Sequence, residues 1–172
     1  MLSVPSIDGT DRVLTSVLGM RRVREYLSAD SRTPATEVSA AQPTRTVHVY
    51  AMGEGGAAAE IHLMVEADLP TGGSGAGSVH HVAFRVTTVA EYEAWAKRMQ
   101  ELGLPSSGPV DRYYFRSLYF REPNGILFEL ATDGPGFAVD EPMETLGERL
   151  ALPPFLEPRR QEIEAGLKPL IA

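Results

Sequence analysis

Two adjacent histidines and one glutamate carry the strongest chemical signal in this sequence: His80 and His81 in SVHHVAFRV, and Glu129 in ILFELAT. Imidazole nitrogen and carboxylate oxygen are ligands for a divalent metal. A carboxylate set among Ile, Leu and Phe is costly to bury unless a metal or a cation takes up its charge. Strand alternation separates the two histidines. Val82, Phe84 and Val86 share a face with His80, and that apolar face is expected to pack on a helix; His81 falls with Ala83 and Arg85 on the open face. In the later strand Ile126, Phe128 and Leu130 form the helix-facing row, so Glu129 opens to the same side as His81. His81 and Glu129 are therefore read as two ligands of one metal.

The turn Pro123-Asn124-Gly125 adds a third residue. With Gly125 left-handed it pairs Glu122 with Ile126, and counting back places Tyr119 opposite Glu129. A phenol there can hydrogen-bond to a bound substrate or an oxygen intermediate. Arg112, just before the run YYF, can stabilise an anionic substrate oxygen. The competing reading is a structural salt bridge from Glu129 to Arg112 or Arg85, with no metal. His48 and His62 are read as ordinary core or surface residues.

The elements that must position these groups follow from periodicity. From about Ser78 to Asp133 the order is βαβββ: a strand at SVHHVAFRV, a helix, and strand-like runs ending in RSLYF and ILFELAT. Thr88 and Glu91 have capping-box spacing, Tyr92, Trp95, Met99 and Leu102 recur at helical spacing, and Gly103 stands where a C-terminal cap belongs. A weaker copy precedes it: Leu2 to Val4 as the end of a clipped first strand, a helix from Arg12 to Leu18 closed by Gly19, and strands near Arg22 to Tyr26, Thr46 to Met52 and Ile61 to Val65. The predicted class is α+β, paired βαβββ modules forming one curved mixed sheet around a metal or ligand cavity. The expected organisation is a first, incomplete module over 1–68, a linker over 69–77, a second module over 78–137 and a helical tail of two short helices over 138–172. The polar run from Leu27 to Thr44 is expected to be a long loop.

Composition bounds the function. The chain has 172 residues, a formal charge of −7 and no cysteine. Thiolate metal sites and cysteine nucleophiles are thereby excluded, and the absence fits a reducing compartment. No Lys/Arg stripe offers itself to a phosphate backbone, so nucleic acid is not an expected partner. Neither a membrane span nor a signal peptide is legible, and a cytoplasmic protein is expected. A clipped first strand would expose backbone groups along a sheet edge, which favours a homodimer.

At VHHVAFRV, DRYYFRSLYFREPNGILFELATDGPGF and LPPFLEPRR, over about Gly75 to Leu170, the chain resembles the hydroquinone-type ring-cleaving dioxygenases of the vicinal oxygen chelate superfamily. The resemblance implies Fe(II), with Mn(II) as the alternative, held by two histidines and one carboxylate, and a hydroquinone- or catechol-like aromatic plus O₂ as substrates. Residue by residue, His81 and Glu129 match metal ligands, whereas His80, Arg112 and Tyr119 match residues of the substrate pocket, which moves His80 from the packed face to a pocket edge. Such enzymes have four modules. This chain resembles the third and fourth, and the remaining histidine ligand belongs to the first, so another chain or a missing half must supply it. Glu60 has the spacing from Gly56 that Glu129 has from Gly125, but without a matching first-strand histidine it is not expected to bind metal. A metal-free small-molecule binding protein and a glyoxalase-like isomerase are the alternatives on the same fold.

Overall fold

The computed structural model describes residues 1–29, 44–68, 75 and 79–168. Almost all of the expected linker, and positions 30–43 of the expected long loop, lie outside them. The chain divides into two units, Met1–Val82 with Phe120–Phe128, and Ala83–Tyr119 with Glu129–Ala172. Both βαβββ modules are present, each with its own four-stranded sheet.

The first module runs β1 (Leu2–Val4), α1 (Ile7–Arg12), a π-helical turn (Val13–Val17), β2 (Arg21–Ala29), β3 (Thr44–Ala51) and β4 (Glu60–Val65). Its sheet order is β1-β4-β3-β2, with β1 parallel to β4 and the other pairs antiparallel. The helix starts at Ile7 rather than Arg12, because Asp8, Gly9 and Thr10 are poor helix formers whose placement is fixed by packing, not by propensity. Gly19 closes it at φ 71°, as its spacing predicts. Leu27, Ser28 and Ala29 extend β2 instead of opening a loop. Val4, Leu14, Val47, Val49, Tyr50 and Leu63 are fully buried. The Tyr50 hydroxyl donates to Asp11 on α1, and burial together with that carboxylate pushes the phenol above the ordinary tyrosine range.

The tip of a hairpin from far along the chain, Phe120–Phe128, belongs to this unit. Glu122 is 2% exposed and accepts from the hydroxyl of Thr10, itself wholly buried, and from the Ile126 N–H at 2.8 Å. The Asn124 amide donates to the Ser6 carbonyl and to Thr10 Oγ1, both at 2.8 Å. Thr10 thus donates to one hairpin residue and accepts from another, and the buried carboxylate finds the donors its burial demands. Phe120 and Phe128 meet edge to face, 5.7 Å between centroids. Gly9 is where the fit is tightest: a Cβ there would lie 2.7 Å from Pro123 Cβ and 3.0 Å from its Cγ.

The second module runs β5 (Val82–Val86), α2 (Val89–Glu101), β6 (Val110–Asp111), β7 (Arg116–Arg121) and β8 (Leu127–Thr132), with sheet order β5-β8-β7-β6. Thr88 Oγ1 accepts from the Glu91 N–H at 3.1 Å, the predicted cap, while the Glu91 carboxylate returns to the N–H and hydroxyl of Thr87 rather than to Thr88. Tyr92 and Met99 are buried, but Leu102, at the helix C-cap, is 47% exposed and not part of the packed stripe. The Tyr92 hydroxyl donates to the Ser117 carbonyl at 2.7 Å and accepts from the Val110 N–H at 3.2 Å, tying α2 to β6 and β7. The tail holds single 3-10 turns at Phe137–Val139 and Met143–Thr145, and a third, Glu157–Arg159, that continues into α3 (Arg160–Gly166). Among the described residues of the tail one α-helix stands where two are expected.

Alanine at position 9 favours helix by up to about 1 kcal/mol, yet the Pro123 ring cannot swing away, so Gly9→Ala should lower stability by about 1–3 kcal/mol. Gly166→Ala, with nothing within 4 Å, should be neutral or slightly stabilising. Urea denaturation of the two variants checks the contrast.

Candidate functional site

The hairpin register follows the predicted one. Gly125 has φ 87°, and the Glu122 N–H donates to the Ile126 carbonyl at 3.1 Å. Counting back puts Tyr119 opposite Glu129. Glu129, third residue of β8, is 3% exposed and accepts from the hydroxyl of Ser117, which is wholly buried on β7. Sequence reasoning missed Ser117. Its signal was a small hydroxyl two residues before Tyr119, on the same strand face, and hence diagonal to Glu129.

Tyr119 is half-buried, and its own N–H and carbonyl are both taken by Ser107, at 2.9 Å each, which pins this stretch of β7. The Arg112 guanidinium lies 5.2 Å from the centroid of the Tyr119 ring, within cation–π range. Arg85, one of the two cations considered as a partner for Glu129, is engaged instead by Asp133 through three contacts of 2.6–2.9 Å. That pairing holds the Asp133 carboxyl below its usual range.

His80 does not sit on a packed strand face. Strand β5 begins at Val82, so the alternation read back to Ser78 has no ladder to enforce it, and His80 is exposed. His81 is half-buried. The two rings are perpendicular with centroids 5.1 Å apart, and their Nδ1 atoms lie 2.8 Å apart, so one ring donates to the other. His81 belongs to the first unit and Glu129 to the second. Among the described residues no three His, Asp or Glu side chains gather as a metal-ligand cluster.

A second polar constellation, not anticipated as a unit, lies on one face of the first sheet. Arg24 grips Glu60 with both terminal nitrogens at 2.7 Å, Glu60 Oε2 meets His62 Nε2 at 3.1 Å, and His62 Nδ1 meets the Tyr26 hydroxyl at 2.9 Å. Arg24 first, and His62 second, hold the Glu60 carboxyl down to about 2. The sequence signal was a matched i, i+2 pattern, Arg24/Tyr26 on β2 and Glu60/His62 on β4. Glu60 is the first residue of β4 whereas Glu129 is the third of β8, so by strand position it is His62 that corresponds to Glu129. His48 is a core residue as read, buried with its Nδ1 2.6 Å from Arg22 and 3.1 Å from Glu25.

In the second unit a cavity of about 530 Å³ is lined by Tyr113, Asp140, Arg149, Leu152 and Pro154 among others, and Arg112, Tyr119 and Glu129 are not among its walls. Tyr113 adopts a left-handed φ of 71°, with its N–H held by Asp111 at 2.7 Å.

The chain matches the model of the Glyoxalase/Bleomycin resistance protein/Dioxygenase superfamily over residues 1–130. It is 51% identical over 169 residues to a Bacillus subtilis protein named as the ring-cleaving dioxygenase MhqA, covering 98% of this chain and 49% of that protein. It is 38% identical over 117 residues to the chlorohydroquinone/hydroquinone 1,2-dioxygenase of Sphingobium indicum, covering 66% of this chain and 36% of that one. A crystal structure from Bacillus subtilis, of a protein described as a dioxygenase, superposes with a TM-score of 0.74 at 34% identity, over 98% of this chain and 48% of that chain. The chain thus spans half or less of the length of these relatives.

The Arg24–Glu60 pair sets an acid dependence. Because the folded-state value of Glu60 is depressed from about 4.5 to about 2, the stability it contributes is fully present above pH 4.5 and is lost as pH falls towards 2. Arg24→Gln should lower the urea midpoint at pH 7 and flatten its fall between pH 4.5 and 2; curves that run parallel for the two proteins would refute this.

Proposed function

The chain belongs to the glyoxalase/bleomycin resistance protein/dioxygenase superfamily, and from that premise we propose that it is part of a metal-dependent ring-cleaving dioxygenase acting on hydroquinone- or catechol-like aromatics. The observation that carries the reading is a carboxylate buried to 3% in an apolar strand, held by a buried serine hydroxyl and paired in register with a tyrosine. What distinguishes it from Glu122, which is as deeply buried, is its place opposite Tyr119.

The available donors fit a divalent ion. With no cysteine in the chain, imidazole nitrogen and carboxylate oxygen are the ligands on offer, and these suit Fe(II) or Mn(II). His81 and Glu129 would hold it. Fe(II), our first choice, supplies open coordination positions for a hydroxylated ring and O₂ when bound. Ser117 fixes one face of the Glu129 carboxylate, and the His80–His81 contact sets the orientation of the His81 ring. The Tyr119 phenol hydrogen-bonds to the substrate, and Arg112, stacked on that ring, balances the charge of a deprotonated hydroxyl.

Two ligands do not complete a facial triad. We infer that the third comes from another chain, either a second copy in a homodimer or the half of the protein that this chain does not span. A cytoplasmic setting fits the cysteine-free composition. No helix among the described residues is long and apolar enough to cross a membrane.

Anaerobic Fe(II) titration followed by O₂ uptake with a hydroquinone tests the reading. Stoichiometric binding with uptake supports it; a chain that binds no metal at all overturns it. Glu129→Ala should abolish tight binding, and unchanged affinity in that variant would remove Glu129 from the site.

A further inference from the structure

The Tyr26–His62–Glu60–Arg24 network on the first sheet has no part in the metal reading. Its hydrogen-bond directions follow from the Glu60 charge when the imidazole is neutral. Glu60, gripped by Arg24 through two contacts of 2.7 Å, is an ionised acceptor, so His62 Nε2 carries the proton at the 3.1 Å contact. In the neutral imidazole Nδ1 is then the lone-pair nitrogen and accepts the Tyr26 O–H at 2.9 Å. An oriented carboxylate, an imidazole in one tautomer and a hydroxyl aimed at the free nitrogen form the acid–base–hydroxyl arrangement that activates a hydroxyl. Here the hydroxyl is a phenol, and Tyr26 is 40% exposed.

The surroundings say what such a group would take. Because Tyr26 gives its only proton to His62, its oxygen is left as an acceptor, and a ligand must bring a donor. The tyrosine crosses strand β3 to reach His62: Val47 is its register partner and Val49 that of His62, so the two valines share the sheet face of the rings, and both are completely buried. The exposed part of the site is thus an aromatic ring on an apolar floor with one acceptor oxygen. We propose that Tyr26, His62, Glu60 and Arg24 form a metal-independent site for aryl hydroxyl compounds. The ligand hydroxyl donates to the Tyr26 oxygen. As its proton passes to that oxygen, the Tyr26 proton passes to His62 Nδ1, leaving an aryl oxide, a neutral Tyr26 and an imidazolium against the Glu60 carboxylate. The net transfer is from the ligand hydroxyl to the imidazole, and an aryl hydroxyl more acidic than tyrosine favours it. No electron moves and no co-reactant is needed. This site stands whether or not His81 and Glu129 bind a metal.

The probe is 4-nitrophenol, whose ionised form absorbs in the visible, titrated into the full chain with a chelator present, at a pH below the probe's own midpoint. The expected result is saturable binding with a rise in visible absorbance. Tyr26→Phe, a change at a part-exposed ring that keeps the apolar surface, should weaken binding about five- to ten-fold, the loss expected for one hydrogen bond. Glu60→Gln, which still accepts a hydrogen bond but carries no charge, should retain binding while losing most of the absorbance rise. Probe that binds un-ionised in the unaltered chain, or that binds and ionises equally in all three proteins, overturns the proposal. Since the chelator removes metal from every arm, failure here leaves the Fe(II) titration untouched.

Discussion

Burying the Glu122 carboxylate is the constraint on which the rest of the structure depends. A carboxylate 2% exposed must be supplied with donors, and this one draws them from two places: the Ile126 N–H in its own turn and the Thr10 hydroxyl, 112 residues away. The local bond shapes the turn; the distant one joins the hairpin tip to α1. Asn124 closes the arrangement by reaching the Ser6 carbonyl as well as Thr10, and Gly9 is small because Pro123 occupies the space a side chain would need. The same hairpin continues into the strands that carry Ser117, Tyr119 and Glu129. A slip of one residue at the tip would turn those side chains to the opposite face.

Two glutamates of one hairpin are buried, each with its own set of donors. Glu122 is engaged by a hydroxyl and a backbone N–H, so its burial is explained by the fold. Glu129 lies on a strand whose neighbours are apolar, with a serine hydroxyl on one oxygen. In the proposed function it is the one that would hold the metal ion. Of the two cations weighed as partners for Glu129, the Arg85 guanidinium is held by Asp133, and Arg112 lies over the Tyr119 ring.

Local chemistry was legible in the sequence where the determinant was local. Pro123-Asn124-Gly125 set the hairpin register, Gly19 the end of the first helical segment, and Thr88 the start of α2. The βαβββ order of both modules followed from the alternation of strands with a helical period. What escaped was non-local. The start of α1 at Ile7 rests on packing against the hairpin, not on propensity, and nothing near Glu122 in sequence pointed to Thr10. The alternation of side chains runs back across His80, but a side-chain pattern does not reveal where ladder bonds start, and β5 begins at Val82. Spacing from a glycine matched Glu60 to Glu129, yet a three-residue 3-10 turn, Ala57–Ala59, separates Gly56 from β4 and shifts the correspondence to His62. The Arg24 to Tyr26 chain of bonds spans strands β2 and β4, so it became visible only once β3 was seen to lie between them.

The claim that the hairpin tip and α1 are one cooperative unit is tested most directly by hydrogen exchange in Thr10→Val. The Ile126 amide, bonded to the Glu122 carboxylate, reports the hairpin, and the Leu18 amide, bonded to the Val13 carbonyl, reports the helix. Leaving the carboxylate one donor short costs about 1–3 kcal/mol, so both amides should exchange roughly 5- to 150-fold faster, and together. Ile126 protection that is unchanged, or that falls while Leu18 holds, would show that the hairpin stands without the helix and would contradict the account.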